Sequence, residues 1–152
     1  MAEETKDRVF RILIIEDDPD DVFLFKRAVD RARLTLSCEI VCEQVSNGLD
    51  AIFLVTREDL MAKLPDALVL DLNMPRFDGM QFLRSLRLSL ALNDLPVFVL
   101  TTSAEPALHA EAREAGADKV FVKPNDAETL LQIALEIVTD GFLKPKQGPA
   151  AA

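Results

Sequence analysis

Carboxylate, hydroxyl and ammonium side chains stand at the ends of four short apolar runs. Asp71 follows Ala67-Leu68-Val69-Leu70 and precedes Leu72-Asn73-Met74-Pro75-Arg76-Phe77-Asp78-Gly79. Glu16, Asp17 and Asp18 follow Ile12-Leu13-Ile14-Ile15, while Thr101 and Lys123 follow further apolar runs. Such runs are too short for helices and read as buried strands. Side chains at their carboxyl ends lie where open parallel sheets place ligands. Taken singly, each residue has a plainer reading: a charged loop, a helix cap, a strand-end hydroxyl, a solvated lysine. Their arrival at successive strand ends favours one shared site.

The chemistry such a site permits follows from charge. Glu16, Asp17 and Asp71 repel one another when partly desolvated, and a divalent cation relieves that repulsion. Ligands made only of oxygen select a hard ion, for which Mg2+ is the expectation. Asp71 could then attack phosphorus as a carboxylate nucleophile, giving an aspartyl phosphate. Lys123 would add positive charge at the phosphoryl oxygens and Thr101 a hydroxyl hydrogen bond.

The elements that position these residues alternate. Strands are expected at Phe10–Ile15, Glu39–Val45, the run before Asp71, Val97–Thr101 and Val120–Val122. Helices are expected from Asp18-Pro19, over Leu49–Glu58, over Met80–Leu92 burying Leu83, Leu86 and Leu90, over Glu105–Ala115, and over Asp126–Asp140. Asp before Pro is a helix start, and Gly116 a helix stop. The alternation predicts an α/β fold with a five-stranded parallel sheet covered on both faces by five helices. The flavodoxin-like order 2-1-3-4-5 puts the weaker second strand at an edge. One domain is expected over residues 9–140, with flexible ends at 1–8 and 141–152.

Composition narrows the partners. The 152 residues carry 17 Lys plus Arg against 26 Asp plus Glu, a net charge of -9. That balance argues against nucleic acid and anionic membranes, which need a basic footprint. No apolar stretch has the length of a membrane span, and Met1–Arg8 lacks an apolar signal core, so a cytoplasmic location is expected. Cys38 and Cys42 fall on one face of a strand, and with one His in the chain they read as reduced packing thiols.

Ile15-Glu16-Asp17-Asp18-Pro19, Asp71-Leu72-Asn73-Met74-Pro75 through Asp78-Gly79, Leu100-Thr101-Thr102-Ser103 and Val122-Lys123-Pro124 together resemble the receiver domain of two-component response regulators. The resemblance runs from about Phe10 to Asp140. It implies that Asp71 accepts a phosphoryl group from a histidine kinase or a histidine phosphotransfer protein. It implies Mg2+ held by the Asp17 and Asp71 carboxylates, the Asn73 backbone carbonyl and, through water, Glu16. Thr101 and Lys123 would contact the phosphoryl group, and the Lys123–Pro124 bond would be cis. The expected protein is a stand-alone receiver that switches rather than turns over substrate. A narrower resemblance, on Asp17-Asp18-Pro19-Asp20-Asp21, the segment around Arg57–Pro65 and Leu100-Thr101-Thr102-Ser103 together, is to receivers paired with phytochrome-type kinases.

One position departs from the family pattern. Many receivers carry an aromatic residue three before the lysine, where this chain has Val120. Phe121 is adjacent, but successive strand side chains face opposite ways. On the fifth helix, Leu131 and Leu135 form a stripe beside the core face. It reads either as a homodimer surface or as core rim. Two other functions compete: a Mg-dependent phosphohydrolase with an aspartyl-phosphate intermediate, and a non-phosphorylated scaffold. The hydrolase would use an acid two residues after the nucleophile, where this chain has Asn73.

Overall fold

A computed structural model describes residues 9–74, 78–89, 92 and 94–143. Of the flexible ends expected at 1–8 and 141–152, residues 1–8 and 144–152 lie outside the described residues, as do the motif residues Pro75, Arg76 and Phe77, and Leu90. The strands are β1 (Val9–Ile15), β2 (Glu39–Val45), β3 (Ala67–Leu70), β4 (Val97–Thr101) and β5 (Lys119–Val122). The helices are α1 (Pro19–Leu36), α2 (Gly48–Leu60), α3 (Gly79–Leu88), α4 (Pro106–Ala115) and α5 (Ala127–Leu143). All strand pairs are parallel, in the order β2-β1-β3-β4-β5. The α/β fold, the strand order and the edge position of β2 are those expected.

Strand side chains alternate between two cores. Phe10, Ile12 and Ile14 of β1, with Val69 and Phe98, face α1 and α5. Leu13 and Ile15 of β1, with Leu68, Leu70, Val97 and Val99, face α2, α3 and α4. Val120 packs with the second group and Phe121 with the first, so Phe121 does lie on the opposite face from Val120.

Three expectations are corrected. Helix α5 continues past Asp140 to Leu143, because Gly141 lets the chain pass against the Phe10 ring. A Cβ at Gly141 would lie 2.4 Å from that ring, and the Phe142 ring packs against it, tilted by 48° at 4.8 Å between centroids. Leu131 is 8% exposed and belongs to the α1–α5 core, with Leu135 partly buried against it. The stripe is core rim because α1 lies along α5. The Lys123–Pro124 bond is trans, like every described peptide bond. An X-Pro bond loses little by either choice, and trans is its lower-energy form.

Candidate phosphoacceptor site

The sheet ladder extends one residue past its strands at the rim. The Asp71 N–H donates to the Ile15 carbonyl at 3.0 Å, Glu16 N–H to Val45 at 3.0 Å, and Lys123 N–H to Thr101 at 2.7 Å. Backbone pairing therefore fixes where three of the site residues emerge. Asp18 caps α1, its side chain accepting from the Asp20 N–H at 2.9 Å, with Pro19 next. The start of α3 returns to the end of β3, the Gly79 N–H donating to the Leu72 carbonyl at 3.2 Å. Asp78 and Gln81 cap that helix reciprocally at 2.9 and 3.0 Å. Gly79 makes this close approach possible, since a Cβ there would lie 2.3 Å from the Asp71 carbonyl oxygen.

Glu16, Asp17 and Asp71 each offer a carboxylate oxygen within 4.8 Å of the others. Asp71 and Glu16 are buried and Asp17 is exposed, so the cluster opens to solvent on one side. The donor set is all oxygen and suits a hard divalent ion; Asp17 and Asp71 would hold it, with Glu16 beside them. Asn73 is exposed and its N–H donates to Asp71 Oδ1 at 3.3 Å.

Lys123 Nζ donates to Glu16 Oε1 and to Asp21 Oδ2, each at 2.7 Å, and lies 3.8 Å from Asp71 Oδ1. Its side chain is 14% exposed, not the open, mobile charge a strand-end lysine suggests. Burial works against its charge, but the hydrogen bonds to Asp21 and Glu16 and the charge of Asp71 outweigh it and hold the pKa above the usual lysine range. Glu16 is pushed up to about 7, by burial first and by the neighbouring Asp71, while the bond from Lys123 opposes the rise. Its other oxygen accepts from the Asp18 N–H at 3.2 Å. Thr101 is fully buried, its hydroxyl oxygen accepting from the Ser103 N–H at 3.3 Å. The ring of His109 holds the same loop, Nε2 lying 2.7 Å from the Ser103 carbonyl oxygen.

The fold thus brings together Glu16, Asp17, Asp71 and Lys123, with Asn73 and Thr101 beside them. Leu131 is buried and Leu135 partly buried in the α1–α5 core, and neither joins this cluster. Asp21 is the residue that sequence reasoning left without a role. Its signals were a place in the acidic run Asp17–Asp21 and in the first turn of the helix that leaves the rim.

Comparison with known proteins agrees with this arrangement. The response regulator receiver domain family matches residues 12–135. A response regulator MprA of Mycobacterium leprae (strain TN) is 37% identical over 123 residues, 80% of this chain and 47% of that protein. The chain therefore spans about half the length of that relative. The crystal structure of a phosphorylated cyanobacterial phytochrome response regulator, RcpA, superposes with a TM-score of 0.75 at 27% identity, covering 89% of this chain and 95% of the other. A response regulator in red light signaling of R. palustris gives a TM-score of 0.73 at 26% identity, covering 84% and 90%. Among the described residues no helix is long and apolar enough to cross a membrane.

Proposed function

The chain belongs to the response regulator receiver domain family, and from that premise we propose that it is a phosphorylation switch whose acceptor is Asp71. The observation that carries this reading is the placement of a buried Asp71 carboxylate at the end of β3, beside two further carboxylates and 3.8 Å from an ammonium.

An Asp71 carboxylate oxygen forms a bond to phosphorus as the phosphorus–nitrogen bond of a donor phosphohistidine breaks. The imidazole leaves with the bonding electron pair. Magnesium, when bound, would offset charge on the phosphoryl oxygens. Glu16 and Asp17 complete the acidic face that would hold it. Lys123 supplies a cation already at the rim, and the Thr101 hydroxyl is within the same strand-end layer. Asn73, two residues after Asp71, has no carboxyl group for general acid catalysis of hydrolysis. The reading is therefore a switch, not a turnover enzyme.

The proposed donor is a histidine kinase or phosphotransfer protein, of the phytochrome-linked type. Support for the narrower choice is the likeness to the two light-signalling regulators. With Leu131 buried and Leu135 partly buried against the same core, the leucine pair is not proposed as a self-association surface.

Incubation with acetyl phosphate, or with a phosphorylated phytochrome-type kinase, should label the wild type. Asp71→Asn should stay folded and take up no label. Equal labelling of that variant would move the acceptor elsewhere. Labelling by acetyl phosphate and unrelated kinases, but not by the phytochrome type, would remove only the narrower assignment.

A further inference from the structure

We propose that Asp21 is a positioning residue that withholds Lys123 from Asp71 until a phosphoryl group arrives. This rests on the phosphoacceptor reading of Asp71. The distances order the partners: Lys123 Nζ is 2.7 Å from Asp21 and from Glu16, and 3.8 Å from Asp71. The last is too long for a hydrogen bond. An ammonium has three donors, and two of them are taken. The lysine is thus bound to two carboxylates that are not the acceptor.

The two restraining carboxylates differ. Glu16 is 5% exposed and held on both oxygens, by Lys123 and by the Asp18 N–H. The Asp21 side chain is 34% exposed and can return to water when the lysine leaves. Asp21 is the releasable partner. Its place over the rim is set by the capped first turn of α1, which Asp18 and Pro19 fix.

A phosphoryl group on Asp71 adds charge and three acceptor oxygens, and so competes for the ammonium where the bare carboxylate does not. The affinity for that group is then lowered by the share of molecules whose lysine is held by Asp21. Removing the Asp21 charge should release it.

The test reads affinity for beryllofluoride with Mg2+ present, in the full chain. Asp21→Asn should bind about three- to ten-fold more tightly than wild type, by the population argument. Asp20 is exposed and adjacent, so Asp20→Asn controls for the loss of one negative charge and should change affinity by less than about two-fold. Asp21→Glu keeps a carboxylate and should return close to wild type. In a Lys123→Ala background the gain from Asp21→Asn should vanish. Urea unfolding of the same single and double variants in chelator should give non-additive effects, reporting the pair without any metal.

Equal gains in Asp20→Asn, a gain that persists without Lys123, or additive unfolding would each overturn the proposal. So would weaker binding by Asp21→Asn, which would mean that Asp21 presents the lysine rather than withholding it. A folded wild type that binds no beryllofluoride would instead remove the phosphoacceptor reading, and this inference with it.

Discussion

Lys123 is the residue on which the charges at the rim depend. It neutralises Glu16 and Asp21 and stands near Asp71, and of these three carboxylates only Asp21 can turn to water. Removing it leaves Glu16 buried beside Asp71 without its cation. Lys123→Ala should therefore destabilise the metal-free protein by about 1–3 kcal/mol, less than a fully buried pair because Asp21 can turn to solvent. Urea unfolding in chelator measures this. Adding Mg2+ should recover part of the loss, since a cation at the carboxylates relieves the same repulsion. An unchanged midpoint in chelator would make Lys123 energetically a surface residue. Residue identities at the rim were legible from sequence because strand ends are marked by where apolar runs stop. The role of Asp21 was not, because a contact across 102 positions depends on how the first turn of α1 is set against β5. The burial of Lys123 was hidden for the same reason.

At the scale of elements, the start of α3 packs closely on the end of β3. A Cβ on Gly79 would sit 2.3 Å from the Asp71 carbonyl oxygen and 2.6 Å from Leu72 Cα, both backbone atoms that cannot swing aside. Gly79→Ala should cost about 1–3 kcal/mol, as overpacking does, and should also slow phosphorylation by displacing Asp71. Unfolding and acetyl-phosphate labelling rates check the two effects together. On α5, Leu131→Glu with Leu135→Glu should unfold the protein instead of yielding a folded monomer, because it forces charge into the α1–α5 core. In β2, burial pushes the Cys42 thiol up to about 11, with Lys26 opposing the rise and Asp30 adding to it. The reactive thiolate is scarce below that value, so at pH 8 Cys42 should react with a disulfide reagent roughly 100-fold more slowly than an open thiol. Its rate should climb with pH up to about 11; a Cys38→Ala background isolates it. Rate parity at pH 8 would contradict the burial. Strand positions were readable from these elements because β3 is wholly apolar and β4 is apolar up to its terminal Thr101. The end of α5 was not, because Gly141 reads locally as a stop while its fit against Phe10 is a long-range contact.

For the molecule as a whole, the sheet joins two cores that share no side chain. Alternation within single strands ties them: β1 sends Ile12 and Ile14 to one face and Leu13 and Ile15 to the other, and β3 sends Val69 one way and Leu68 and Leu70 the other. Neither core can come apart without exposing strands that the other also needs. The domain should therefore unfold in one transition, although its two helical layers are separate. Leu83 lies in the α3 side and Ile137 in the α5 side, each fully buried. Leu83→Ala and Ile137→Ala should each cost about 2–5 kcal/mol through lost burial and a residual cavity. Each should shift the urea midpoint without changing the slope, because the surface exposed on unfolding is the same. Their combination should be additive within about 0.5 kcal/mol, since they share no contacts. If the double variant proves too unstable to measure, Leu83→Val with Ile137→Val tests the same logic at smaller cost. A biphasic transition in either single variant, or a reduced slope, would show that one helical layer can melt while the sheet and the other layer persist. The rim would then be carried by a smaller cooperative unit than the whole domain.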